Sequence, residues 1–165
     1  MTVYLSALAL ILAAVLQVTV LPLLTGSSLN VDLVLLLVLA WGIIRGVQEG
    51  LLWGLVGGLI LDVVSAAPFG TTMAVLATIG MLAGIRGIPL LRGSALAPMI
   101  AAAAATVVYD GLLMALWALF GREWRWLDAF HDVILPAALL NALVMAPIYW
   151  LFDRLQRRME PEIKW

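Results

Sequence analysis

Residues 46–72 read GVQEGLLWGLVGGLILDVVSAAPFGTT, and the spacing of glycine in this stretch decides the fold. Gly46, Gly50, Gly54 and Gly58 recur every four residues, and Asp62 takes the next place in the series. Glycine costs an isolated helix in water about 1 kcal/mol relative to alanine. In a bilayer the same spacing makes a ridge of small residues on which a second helix can lie backbone to backbone. Each step of four overshoots a 3.6-residue turn by roughly 40°, so Gly54, Gly58 and Asp62 share one broad face. That face is predicted to look into protein, because a charge is expensive in lipid.

The composition agrees. Of the 165 residues 65% are hydrophobic and 12% charged, with mean hydropathy +1.13; soluble domains average about 45–50% apolar and about 25% charged. The chain is therefore predicted to be one polytopic membrane domain over residues 1–165. Its longest polar stretches, Gly121–Asp132 and the tail from Asp153, are too short to bury a core of their own. A net charge of −1 offers no basic field for nucleic acid. There is no cysteine, and the single histidine, His131, cannot make a histidine cluster, so no metal or cofactor is expected. The start, MTVYLSALALILAAVLQVTVLPLL, lacks a basic leader region and is read as a retained first helix.

Six apolar segments can be drawn, Val3–Leu24, Val31–Ile44, Gly50–Val64, Thr71–Ile85, Ala95–Phe120 and Val133–Phe152. A perpendicular span needs about 20 residues. The second, third and fourth segments must borrow neighbours such as Leu29, Val47 and Phe69 or thin the bilayer. The predicted helices accordingly cover roughly 3–24, 29–45, 48–65, 70–86, 94–120 and 131–153, an all-α, six-helix bundle. With both termini in the cytoplasm, the inner side holds Arg45, Arg86, Arg92, Arg154, Arg157, Arg158 and Lys164, and the outer side only Arg122 and Arg125. Tyr4, Trp41, Trp53, Tyr149 and Trp150 then fall near the inner interface, and Trp117, Trp124 and Trp126 near the outer one. The outer loop GREWRWLDAFHD reads either as an amphipathic turn on the headgroups or as a docking surface built on Arg122, Trp124, Arg125 and Trp126.

At about 1.5 Å per residue, Gln17, Asp32, Asp62 and Asp110 fall in the outer half of the bilayer and Asn141 near its middle. No lysine or arginine lies inside a predicted span. The acids must be protonated, hydrogen-bonded to one another or to backbone, or wetted by a cavity open to the outside, and a buried polar recess on the extracytoplasmic side is expected, with Gln17, Asp32, Asp110 and Asn141 in it. Asp32, two residues after Asn30 at a helix start, suits a capping role. Gln17 and Asn141 suit interhelical hydrogen bonds, and Asp62 and Asp110 either tie helices together or line the recess. Pro147 should kink the last helix. An enzyme would need Asp62 and Asp110 to act as a dyad sharing one proton across about 3 Å. Tyr109-Asp110 is similar to the Tyr-Asp pair of intramembrane aspartyl proteases. Their Gly-x-Gly-Asp motif is absent, since Asp62 follows Gly58-Leu-Ile-Leu, and the asparagine-bearing motifs of signal peptidase II are missing too. The chain is read as non-enzymatic.

The glycine-rich third helix, Asp62 near its outer end, Ser65, and then Pro68 and Gly70 before the fourth helix resemble the rod shape-determining MreD family. Leu139-Leu-Asn141, Pro147 and a basic end add to the likeness, which covers the whole chain. The resemblance implies a scaffold in the bacterial cytoplasmic (inner) membrane, with helix packing or partner contact at Gly50, Gly54, Gly58, Asp62, Pro68 and Gly70. It also implies pairing with MreC, a single-span protein, which together link MreB filaments to the synthase and transpeptidase of side-wall peptidoglycan. The rival class is the S component of energy-coupling-factor vitamin transporters, similar in fold, whose Ala-x-x-x-Ala docking ridge is matched by Ala9-Leu-Ile-Leu-Ala13.

Overall fold

Backbone N–H and C=O groups in hydrocarbon need partners within the protein, and this chain meets the demand with helices throughout. The computed structural model describes residues 2–20, 31–64, 68–85, 96–121 and 125–159, with side chains over 8–19, 31–64, 68–85, 96–121 and 125–155; no strand occurs among them. Helix α1, Thr2–Val15, continues through a π-helical turn, Leu16–Val20. It is followed by α2 (Leu33–Arg45), α3 (Val47–Val64), α4 (Thr71–Ala83) and α5 (Leu96–Leu119). A helical turn, Trp126–Ala129, then leads through a second π-helical turn, Phe130–Ile134, into α6, Leu135–Met159. Val47–Val64, Leu96–Leu119 and Trp126–Leu155 are long and apolar enough to cross a membrane, and Leu8–Thr19, Leu33–Arg45 and Thr71–Ala83 are shorter apolar helices. The fold is that of an all-α integral membrane protein.

Helix α2 is the axis of the bundle. Val34, Leu35, Leu36, Val38, Leu39, Ala40, Trp41 and Gly42 are all buried, which leaves only Leu33, Leu37 and the end from Ile43 to Arg45 partly exposed, as suits a nearly all-apolar helix. It touches each of the other five helices. A single residue, Gly46 (φ 102°), separates α2 from α3. Gly46 is thus a reversal point and not the first rung of the glycine ridge, because an α-helix has no place for that dihedral.

The ridge on α3 packs against α4, the most extensive helix pair in the structure. A Cβ atom added at Gly50 would collide with the carbonyl oxygen of Gly80. At Gly54 it would lie 2.6 Å from the Cα of Ala77, and at Gly58 2.8 Å from the backbone nitrogen of Met73. Gly42 of α2 joins the contact, since a Cβ there would stand 2.8 Å from the Gly80 oxygen and 3.5 Å from the Cα of Gly50. The facing surface of α4 is itself small, with Ala77, Gly80 and Gly84. Gly57 looks the other way, toward Val34 and Leu10. Leu52, Val56, Leu59 and Val63 line the outward face of α3.

Trp41 and Trp53 pack inside the bundle: each is 8% exposed, and they stack at 4.7 Å with Phe152 set edge-on at 5.3 and 6.2 Å. The polar edge of Trp41 is satisfied inside the protein, its Nε1 donating to Glu49 Oε2 at 2.7 Å. Trp150 does face outward, with Arg154 over its ring at 4.9 Å. The last helix also begins earlier than its apolar run. Arg125 and Asp128 pair at i,i+3 spacing, 2.9 Å apart, and the apolar residues Trp126, Leu127, Phe130 and Val133 recur at helical intervals, so most of the outer loop is helical.

Replacing Gly54 by Leu should cost about 1–3 kcal/mol or more, since the seam is backbone on both sides and cannot yield. Gly111→Ala is the control: nothing lies within 4 Å of a Cβ there, and the change should leave stability unaltered or raise it by up to about 1 kcal/mol. Thermal unfolding in detergent measures both; a Gly54→Leu chain that melts with the parent refutes the seam.

Candidate functional site

Asp62, 4% exposed, ends the glycine ridge and reaches across to the start of α4. Its Oδ2 accepts from the backbone N–H of Gly70 at 2.9 Å and of Met73 at 3.1 Å, and its Oδ1 from Thr72 N–H at 3.0 Å. A helix start leaves its first N–H groups without intrahelical partners and carries partial positive charge, so a carboxylate fits it well. Gly70 stands at the N-cap position with no side chain of its own to cap the helix, and its φ of 92° turns the chain. The Pro68 carbonyl closes the turn, accepting from Thr71 Oγ1 at 2.7 Å and Thr71 N at 3.2 Å. Asp62, Pro68 and Gly70 are therefore one unit, a clasp where the end of α3 meets the start of α4. Ser65 lies outside the described residues.

A second polar unit joins four other elements. Gln17, on the π-helical turn after α1, donates from Nε2 to Asp32 Oδ1 at 2.9 Å and accepts the Val34 N–H on Oε1 at 3.1 Å. Asn141 of α6 accepts the Asp32 N–H on Oδ1 at 3.0 Å, and its Nδ2 donates to Thr106 Oγ1 of α5 at 3.0 Å and, at 3.5 Å, to Asp32 Oδ2. Thr106 passes its own hydrogen to the Ala102 carbonyl at 2.9 Å. Asn141 and Thr106 have no exposed surface. The capping role expected of Asp32 is corrected: its side chain makes no cap bond. Gln17 caps α2 in its place, which frees the carboxylate to take up the two amides. Thr106 escaped notice because a threonine in an apolar helix usually bonds its own backbone, and only Asn141, 35 residues on, shows its second use.

Asp110 stays apart from both units. It is half-buried and makes no hydrogen bond among the described residues, beside Tyr109, which is 5% exposed. Both oxygens of Asp62 accept from backbone donors, and among the described residues no hydrogen bond joins Asp62 to Asp110, as a proton-sharing pair would require. Ala13 of the Ala9–Ala13 pair is buried in the core at 5% exposure, which withdraws half of that ridge from a partner. In the outer loop Arg125, Trp126 and Leu127 are exposed, while Arg122 and Trp124 lie outside the described residues.

Intramembrane acids and amides that bond helix to helix, around backbone-tight glycine contacts, define a polytopic membrane protein whose polar groups serve assembly. A family model for the rod shape-determining protein MreD matches residues 1–159, and the chain belongs to that family. Its role is thus in the determination of rod shape. No curated protein and no solved structure matches the chain.

The clasp gives an ordered series. Hydrogen bonds to a charged group are worth about 1.5–3 kcal/mol each, so Asp62→Leu should unfold the chain readily in detergent. Asp62→Asn, which keeps one acceptor oxygen, should fall between Leu and the parent; equal loss in both would mean that charge alone matters. In the second unit, Thr106→Val and Asn141→Leu should each lower stability by about 1–3 kcal/mol. The double variant should cost less than their sum, because the two share a bond.

Proposed function

We propose that this chain is a non-enzymatic scaffold of the bacterial cell-elongation machinery. It lies in the inner membrane with both termini in the cytoplasm, binds an MreC-like single-span protein, and through it helps couple MreB filaments to the synthase and transpeptidase of side-wall peptidoglycan. The supporting observation is the use of the polar side chains. Asp62 and the Gln17–Asp32–Asn141–Thr106 unit spend their hydrogen bonds on joining helices, as a part that positions others requires. The excess of basic residues on one side supports the orientation. The turn from Arg125 to Val133 suits the outer headgroup layer, where Trp126, Leu127 and Phe130 find an apolar boundary.

Purification of the tagged chain, co-expressed with the MreC-like protein of the same cell, tests the reading. That protein should be retained in a fixed ratio, and cells deprived of the chain should lose rod shape and regain it with the gene supplied. An ATPase module carrying a bound vitamin in its place would establish the S-component reading instead.

A further inference from the structure

The contacts between helices fix their relative heights. The bonds of Asn141 to Asp32 and Thr106 set α6, α2 and α5 at one level. Gly57 of α3 faces Val34, two residues along α2 from Asp32. From this level toward Gly46 the helices run similar lengths, Asp32 to Arg45 and Asn141 to Leu155 each covering about 20 Å. Phe152 meets both Trp41 and Trp53, and Gly84, at the end of α4, lies against Gly46 and Val47, so these helices end together there. In the other direction they do not. Helix α3 runs seven residues past Gly57 to Val64, about 8 Å beyond Asp32. Helix α5 runs thirteen residues past Thr106 to Leu119, about 20 Å. On α6 and the turn before it, the first exposed charged residue beyond Asn141 is Asp132, at about 13 Å. No described residue from Asp110 to Val133 is buried, and Leu119 and Phe120 are 83% and 68% exposed. The apolar surface of the α5–α6 hairpin thus overtops α3 and α4 by about 10 Å.

A flat bilayer cannot match both sides. Irregular backbone that faces lipid is not tolerated in hydrocarbon. The turn Pro68–Gly70, where Phe69 is 70% exposed, therefore stands at the hydrocarbon boundary. A boundary held at that height all round would strand Leu119, Phe120 and the apolar surface below them among headgroups. The helices cannot slide to even the difference, because α2, α3 and α4 meet backbone to backbone. Lipid adjusts its thickness to the neighbouring protein at modest cost, so the bilayer yields. We infer that the bundle holds the bilayer at two thicknesses, full along the α5–α6 hairpin and about 10 Å less along α3 and α4. The thinned sector lies against Leu52, Val56, Leu59 and Val63 of α3 and Met81 and Leu82 of α4, all exposed. Its occupant is lipid, and the step lies in the leaflet at the Gly70 end. The inference needs only the membrane fold and holds or fails apart from the scaffold reading, whose orientation makes the stepped leaflet the outer one.

Val63 and Leu112 give the test, because they stand at nearly one height, about 7 and 9 Å beyond the Asp32 level. Both are exposed, at 70% and 40%. The chain has no cysteine, so Val63→Cys and Leu112→Cys each accept a single spin label. The labelled chains are placed in dioleoyl phosphatidylcholine vesicles, and depth is read from relaxation by oxygen against a water-soluble nickel complex. The Val63 label should lie at the headgroup boundary and the Leu112 label deeper by roughly 5 Å or more. Phe69→Cys, on the exposed turn, should read like Val63→Cys and replaces it if that label disturbs the fold. In dimyristoleoyl vesicles, which are thinner, the Leu112 label should move toward the surface while the Val63 label stays. Equal depths in dioleoyl vesicles, or a shallower Leu112 label, overturn the inference, since a flat bilayer gives that result. So does a Val63 label closed to both reagents, which would place a second copy or another protein on that face.

Discussion

Gly42, Gly50 and Gly80, one from each of three successive helices, meet where their backbones touch, and the rest of the bundle is arranged about that point. Lipid tails are as apolar as leucine, so burial gives helices no reason to associate within the hydrocarbon. What remains is dispersion between well-fitted surfaces and hydrogen bonds between polar groups. The glycine contact supplies the first by letting α2, α3 and α4 approach to a distance that any side chain would forbid. Asp62 supplies the second at the far end of the same seam.

The two polar units work by one principle on different helices. In each, a side chain from one helix satisfies the exposed N–H groups at the start of another: Asp62 for α4, Gln17 for α2. Helix starts inside an apolar bundle would otherwise leave backbone donors without partners. The capping groups thus close a backbone requirement and fix the relative position of successive helices, while Asn141, 109 residues from Asp32, ties the second unit to α6. Such a body is stiff where its helices cross. Stiffness is a useful property in a family concerned with cell shape.

How much of this was legible depended on whether the signal was periodic or paired. The ridge Gly50, Gly54, Gly58 and its continuation in Asp62 could be read from spacing alone. The surface it meets could not, because Met73, Ala77, Gly80 and Gly84 alternate steps of four and three and nothing in the chain announces which ridges pair. Gln17 and Asn141 stood out as amides in apolar helices, yet their common partner Asp32 was read as a local cap, since an acid at a helix start usually is one. Spacing along the chain says nothing of how Trp41 and Trp53 stack on each other and on Phe152, because that contact brings in the last helix. Hydropathy marked the apolar part of the last helix and missed its amphipathic beginning.

Helix α2 has a bearing on how the protein is made. Thirteen helical residues extend about 20 Å, well short of the roughly 30 Å of hydrocarbon, and most of its apolar surface is covered. It is joined to α3 by Gly46 alone, while residues of α5 and α6, far later in the chain, complete its surroundings. The centre of the bundle is thus an early segment whose enclosure is finished only by late ones.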